Sequence, residues 1–132
     1  MPYVHIVLAL ALIEFFVFCL AVARARDTYN VPAPAITGHE VFERYFRVQM
    51  NTLEQLMIFV PSIVLFAVYV IPWLAAALGA VFIVGRWFYF RGYVRAARDR
   101  HFGFMLSVIP NVTLLVGGLL GALWQLLRPA FG

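Results

Sequence analysis

The sequence predicts an all-α integral membrane protein folded as an antiparallel four-helix bundle. Hydrophobic residues make up 64% of the 132-residue chain and charged residues 12%, against about 45–50% and about 25% in soluble proteins. Mean hydropathy is +0.92. The apolar residues also gather into four spans, roughly 3–23, 55–71, 73–90 and 104–127. Each is near the ~20 residues needed to cross ~30 Å of hydrocarbon.

Span by span, the boundaries follow from local chemistry. The first helix is expected to end near Arg26, because Val31-Pro32-Ala33-Pro34 cannot continue it. It has no small-residue cleavage motif leading into a soluble region, so a removable signal peptide is not expected. Its lone Cys19 reads as a packing residue, deep and remote from the two polar stripes described below. Thr37 and Gly38 are candidate caps for the second helix, and Glu40 and Glu43 suit its early turns. That helix should run from about residue 40 to about 70, with Pro61 predicting a kink. It is longer than the hydrocarbon is thick. Arg44 and Arg47 therefore lie among headgroups, and Asn51 and Glu54 lie deeper. The third helix is expected over about 73–100, with Gly103 breaking it. The fourth follows, with a kink at Pro110 and a Gly117/Gly121 pair that admits a close neighbour. Residues 1–132 read as one domain of antiparallel helices with short connections.

All ten basic residues are arginine. Arg24, Arg26, Arg44 and Arg47 flank the first connection, and Arg91, Arg95, Arg98 and Arg100 flank the third. The positive-inside rule puts both connections in the cytoplasm and both termini outside. A short chain of this kind suits a bacterial inner membrane. The pI of about 9.7 does not argue for nucleic acid, since these arginines bracket apolar spans where lipid headgroups are their partners.

Two polar stripes stand out against the apolar background. On the second helix, Arg44, Arg47, Asn51 and Glu54 return to one face; on the third, Arg86, Tyr89, Tyr93 and Arg100 do the same. Each set covers roughly 60–80° of helix circumference. Charge at the membrane centre costs at least about 2.5–3.5 kcal/mol, so such stripes face a protein interior or a wet cavity. Arg47 offers a fork for a carboxylate, Asn51 a donor and acceptor, and Glu54 an acceptor for an amine. Tyr89 and Tyr93 add phenols, and Arg100 adds a cation that would lower the pKa of a nearby thiol from about 8.5. A zwitterionic peptide thiol satisfies this set. The plain alternative is that the stripes merely tie neighbouring helices together. Arg91, Arg95 and Arg98 fall on the opposite side and are expected to face headgroups or solvent. His5, His39 and His101 are scattered, so no metal site is expected.

Two motifs add a family resemblance. The run from Phe42 to Glu54 (FERYFRVQMNTLE) resembles the signature of the MAPEG superfamily, the membrane-associated proteins of eicosanoid and glutathione metabolism. The run from Arg86 to Arg100 (RWFYFRGYVRAARDR) resembles the third-helix motif of its leukotriene-conjugating synthase and microsomal glutathione transferase branch. The likeness spans nearly the whole chain. It implies a homotrimer with glutathione, the co-substrate, in a cleft between adjacent subunits, open to membrane lipid for a lipophilic electrophile. By this resemblance Arg47, Gln49, Asn51, Glu54, Tyr89 and Tyr93 would hold glutathione near the cytoplasmic face. Arg26 would reach it from the neighbouring subunit, and Arg100 would be the catalytic group that stabilises the thiolate.

Two departures from the family pattern bear on specificity: Gln55 stands where a tyrosine often follows the glutamate, and Asp27 where some relatives carry a second arginine. The implied function is a glutathione transferase that also reduces lipid hydroperoxides. One alternative is a non-catalytic lipid- or glutathione-binding scaffold, as the superfamily also contains. The other is a small proton-coupled multidrug transporter, suggested by Glu14 within the first span.

Overall fold

The computed structural model describes residues 1–131 and contains four long helices: α1 Pro2–Tyr29, α2 Glu40–Tyr69, α3 Pro72–Arg95 and α4 His101–Phe131. All four are long and apolar enough to cross a membrane, and no strand is present among the described residues. The expected all-α bundle is what the chain forms.

In α1 the buried residues Val4, Ala11, Phe18 and Ala25 recur every seven positions, with Val22 beside them. That spacing is a single narrow seam along a helix whose other faces stay apolar and exposed. The helix runs one turn past Arg26 and stops at Asn30, which adopts the left-handed conformation (φ 56°, ψ 51°) and returns its N–H to the Arg26 carbonyl. Asparagine tolerates that conformation as few residues do, so Asn30 and not the prolines ends the helix. Across the following loop, Arg26 Nη1 donates to the carbonyls of Val31 (3.2 Å) and Ala35 (2.6 Å), and its guanidinium lies 4.8 Å from the Phe42 ring centroid. The start of α2 is capped by His39, whose Nδ1 accepts from the Val41 N–H at 3.1 Å. Thr37 and Gly38 are not the cap. Gly38 instead donates its own N–H back to Glu43 at 3.1 Å. The result is a reciprocal pair of bonds across the first turn.

The helix ends and the α3–α4 crossing position the polar residues. The run Arg95-Ala96-Ala97-Arg98 has high helix propensity, in keeping with the expectation that α3 continues to residue 100. It does not. Ala96 is extended (φ −163°, ψ 136°), and Ala97–Arg100 form a separate 3₁₀ turn. Tertiary contacts override propensity there. Arg44 Nε takes the Val94 carbonyl at 2.9 Å, satisfying a last-turn acceptor, and Arg95 pairs with Asp99 at 3.1 Å. The returning turn passes over Gly92, where a Cβ would run into the Asp99 carbonyl.

Gly103 does not break a helix. It lies in the first turn of α4 against the Tyr89 backbone, while Gly85 on α3 meets the α4 backbone at Leu106 and Ser107. Each helix contributes a glycine to its partner's main chain, so α3 and α4 cross in direct backbone contact. Gly117 and Gly121 admit α2 at the other end of α4, against the Phe66 ring and the Tyr69 carbonyl. Around this frame the main core stacks Phe59 on Phe82, with ring centroids 4.2 Å apart, among Ile63, Leu56 and Leu114.

The two kinds of glycine contact predict unequal costs. Gly103→Ala must push apart two backbones and should destabilise the protein by about 1–3 kcal/mol. Gly117→Ala meets only the edge of the Phe66 ring, which can turn aside, and should lower the thermal unfolding midpoint in detergent by less.

Candidate functional site

The second-helix stripe lies along one wall of a cleft that opens at the arginine-rich end of the bundle. The cleft has a volume of about 660 Å³, within the range of small-molecule sites. Asn51, Glu54 and Gln55 line it from α2, Arg86 and Tyr89 from α3, and Arg98 and Arg100 from the 3₁₀ turn. His101 and Phe104 of α4 close it. An adjoining recess of about 510 Å³ holds Arg47, Tyr93 and again Arg98. Arg100 lies between the two, its guanidinium 5.7 Å from the Tyr93 ring centroid and its Nη1 donating to the Ala97 carbonyl at 2.8 Å. The Tyr89 and Tyr93 rings are 5.4 Å apart.

At the cleft floor, Asn51 Nδ2 donates to the Tyr89 hydroxyl at 2.6 Å, which orients the phenol. Beneath it lies Arg86, 1% exposed and the largest fully buried side chain. Its Nε and Nη2 donate to Thr52 Oγ1 at 3.2 and 2.8 Å, and its Nη1 donates to Ser107 Oγ at 3.2 Å. The guanidinium carbon is 4.1 Å from the Tyr89 ring centroid, a cation–π contact strengthened by desolvation. Among the described residues no carboxylate lies within ion-pair distance of Arg86. Glu14 on α1 has one oxygen buried without a hydrogen-bond partner. With Arg86, Arg98 and Arg100 against the single carboxylate of Glu54, the cleft is electropositive and suited to an anionic guest.

Six of the eight expected site residues meet in this region: Asn51, Glu54, Tyr89 and Arg100 in the main cleft, and Arg47 and Tyr93 in the adjoining recess. The other two lie elsewhere in the single subunit, and Arg26 was expected to act from a neighbouring one. Gln49 Nε2 donates to Cys19 Sγ at 3.2 Å, because two residues along from Arg47 is roughly 200° around the helix and turns it toward α1. Arg26 spends Nη1 on its own loop. Arg91, Arg95 and Arg98 are exposed, as expected of groups facing headgroups or solvent, but Arg98 also borders both recesses and Arg95 the smaller one. The break at Ala96 sets Arg98 at the cleft rim. Arg44 of the stripe is structural, tied to Val94 and to Glu40 at 3.2 Å. His101 and Phe104 had no site role in the sequence, and Gln55 was noted there only as a departure from the family pattern, although it adjoins Glu54 on the stripe's edge.

Comparison with known proteins places this arrangement. The profile of the MAPEG family matches residues 4–120. The chain belongs to the MAPEG family. Human microsomal glutathione S-transferase 2 is 42% identical over 104 residues, covering 79% of this chain and 71% of its own length. Guinea-pig (Cavia porcellus) leukotriene C4 synthase is 39% identical over 83 residues, covering 63% of this chain and 55% of its own. An uncharacterized protein of Synechocystis sp. is 50% identical over 121 residues, covering 92% and 88%. Family and four long apolar helices together make this MAPEG protein an integral membrane protein.

The buried guanidinium predicts a coupling that can be measured. Thr52→Val leaves two N–H groups of a charge without an acceptor and should cost about 1.5–3 kcal/mol. Adding Arg86→Met removes the stranded charge, so the double variant should be more stable than the sum of the two single losses by at least about 1 kcal/mol. Denaturation of the four proteins in the same detergent measures that difference.

Proposed function

We propose that this MAPEG protein is a membrane-bound glutathione transferase that presents glutathione as its thiolate to lipophilic electrophiles. The observation that carries the reading is the convergence of Arg47, Asn51, Glu54, Tyr89, Tyr93 and Arg100 on two adjoining recesses at one end of the bundle. Glutathione has two carboxylates, one ammonium and one thiol. Glu54 is the carboxylate available to the ammonium, and Arg47 the exposed fork available to a carboxylate. Tyr93 and the Asn51-oriented Tyr89 supply hydrogen bonds between them. Arg100 sits at the mouth of the main cleft, where its charge favours the thiolate over the thiol.

A lipid hydroperoxide is a second substrate class for the same nucleophile, with a second glutathione completing the reduction to disulfide. The relatives named as glutathione transferase and leukotriene C4 synthase support glutathione as the co-substrate. The working form in this reading is a homotrimer. Arg26 there contributes Nε and Nη2, which make no hydrogen bond among the described residues, to glutathione held mainly by the neighbouring subunit. The bundle stands in a bacterial inner membrane, with its arginine-rich end in the cytoplasm and its termini outside.

Adding glutathione to the protein in detergent should produce ultraviolet thiolate absorbance at neutral pH. Arg100→Ala should raise the pKa of the bound thiol back toward about 8.5. Turnover at pH 7 should then fall roughly 10²-fold and recover as pH rises through that value, whereas the parent keeps its rate to lower pH. Unchanged thiolate formation in Arg100→Ala would remove the assigned role. Arg47→Ala should chiefly raise the KM for glutathione and leave kcat nearer its parent value.

A further inference from the structure

Two amides in the wall of the cleft have their orientation decided by the backbone. Asn111 on α4, 2% exposed, aims Nδ2 at the main-chain carbonyl of Gln55 (3.2 Å) and at its side-chain Oε1 (2.9 Å). A main-chain carbonyl can only accept, so the atom of Asn111 that faces it is nitrogen. That nitrogen in turn requires the oxygen of the Gln55 side chain. Both amides are thereby locked, and Gln55 Nε2 points away from Asn111 carrying two N–H donors. Among the described residues it has no hydrogen-bond partner and is not a buried orphan, while Gln55 itself lines the main cleft. The arrangement has a cost, since Asn111 Oδ1 is buried with no donor, an omission worth about 1–3 kcal/mol.

The place of these donors indicates what they meet. Gln55 lies one turn beyond Asn51, away from the arginine-rich end. The arginines that suit the carboxylates of glutathione, Arg47, Arg98 and Arg100, are nearer that end. Phe104 of α4, 41% exposed, lines the cleft with Gln55, and beyond the adjacent Glu54 the rest of α2 carries no charged residue. A guest group arriving from the lipid side meets there a neutral donor pair with a fixed direction, beside the Glu54 carboxylate that is left to the ammonium of glutathione.

We propose that Gln55 Nε2 is an oxygen-recognising donor for the electrophile, making the cleft selective for α,β-unsaturated carbonyl compounds over electrophiles that carry no oxygen. The proposal rests on the transferase reading above. In the step, the glutathione thiolate forms a C–S bond at the β-carbon. The carbon–carbon π pair shifts toward the carbonyl carbon, and the carbonyl π pair moves onto oxygen. The resulting enolate oxygen accepts an N–H of Gln55. A proton from water then adds at the α-carbon and restores the carbonyl, balancing the proton the thiol released on ionising. A donor aimed at an oxygen that gains charge in the transition state accelerates that reaction alone.

The test compares the parent protein, Gln55→Leu and Asn111→Leu with glutathione and two electrophiles, 2-nonenal and the oxygen-free benzyl chloride. Gln55→Leu should lower kcat/KM for 2-nonenal by roughly 10–100-fold, while benzyl chloride turnover and the glutathione KM stay within about threefold. Asn111→Leu should give the same selective loss at a smaller size, roughly 3–10-fold, because it frees the amide without removing it. Gln55→Leu lies on the cleft surface and carries the test alone if Asn111→Leu fails to assemble. Parallel loss for both electrophiles with a raised glutathione KM would mean that Gln55 holds the peptide, which overturns this proposal and leaves the transferase reading intact. No change in either rate would overturn it equally. A parent that turns over neither electrophile would defeat both readings together.

Discussion

A guanidinium held in an apolar bundle is the constraint around which the polar end of this protein is organised. Arg86 is buried beneath the cleft with no ion-pair partner, so its charge must be met by other means. Hydroxyls from two helices and an aromatic face on its own provide them: Thr52 on α2, Ser107 on α4 and the Tyr89 ring. Bonds to a charged donor are about twice as strong as neutral ones. Their strength depends on keeping water and lipid away. The same cation thus draws three helices together and sets the plane of the tyrosine that Asn51 then addresses.

That arrangement requires the helices to approach closely. Ser107 reaches Arg86 because Gly85 lets the α4 backbone lie directly against α3, and Gly103 does the same four residues earlier on α4. Ser107 Oγ also contacts the carbonyls of Gly103 and Phe104 at 3.0 Å, so its hydroxyl proton has an acceptor on its own helix while the oxygen receives Arg86. Small residues and short polar side chains do in this bundle what large apolar ones do in soluble cores. The large aromatic core, Phe59 on Phe82 with Ile63, sits at the other end, away from the polar groups.

Hydropathy made the four helices legible, because a span of about twenty apolar residues has few alternatives in lipid. The start of α2 at Glu40 and the convergence of Arg47, Asn51 and Glu54 with Tyr89 and Tyr93 were also readable, since helical spacing settles which residues share a face. What spacing could not reveal was where helical spacing stops. Nothing local in Arg95-Ala96-Ala97 forecasts an extended residue; the break depends on Arg44, fifty positions away, and on room above Gly92. For that reason Arg98 borders the cleft while staying exposed. The place of Gln49 came from resemblance alone, and its position on the helix points it toward α1 within the single subunit. Asn30 was overlooked in favour of the more conspicuous prolines. The deep burial of Arg86 was half visible, as the innermost member of a stripe, but its solitary charge gave no hint of the hydroxyls that receive it.

The backbone contact between α3 and α4 makes the two sides of the cleft mechanically unlike. Where main chain rests on main chain there is no layer of side chains to repack, and interiors so joined shift as a block. Tyr89, Arg86 and Phe104 ride on that block. The facing wall, with Glu54 and Gln55, belongs to α2, which meets its neighbours at this level through the longer side chains of Arg86 and Asn111. The cleft is built like a vice at rest: one jaw is set by main chain resting on main chain, the other by side chains that hold α2 against it.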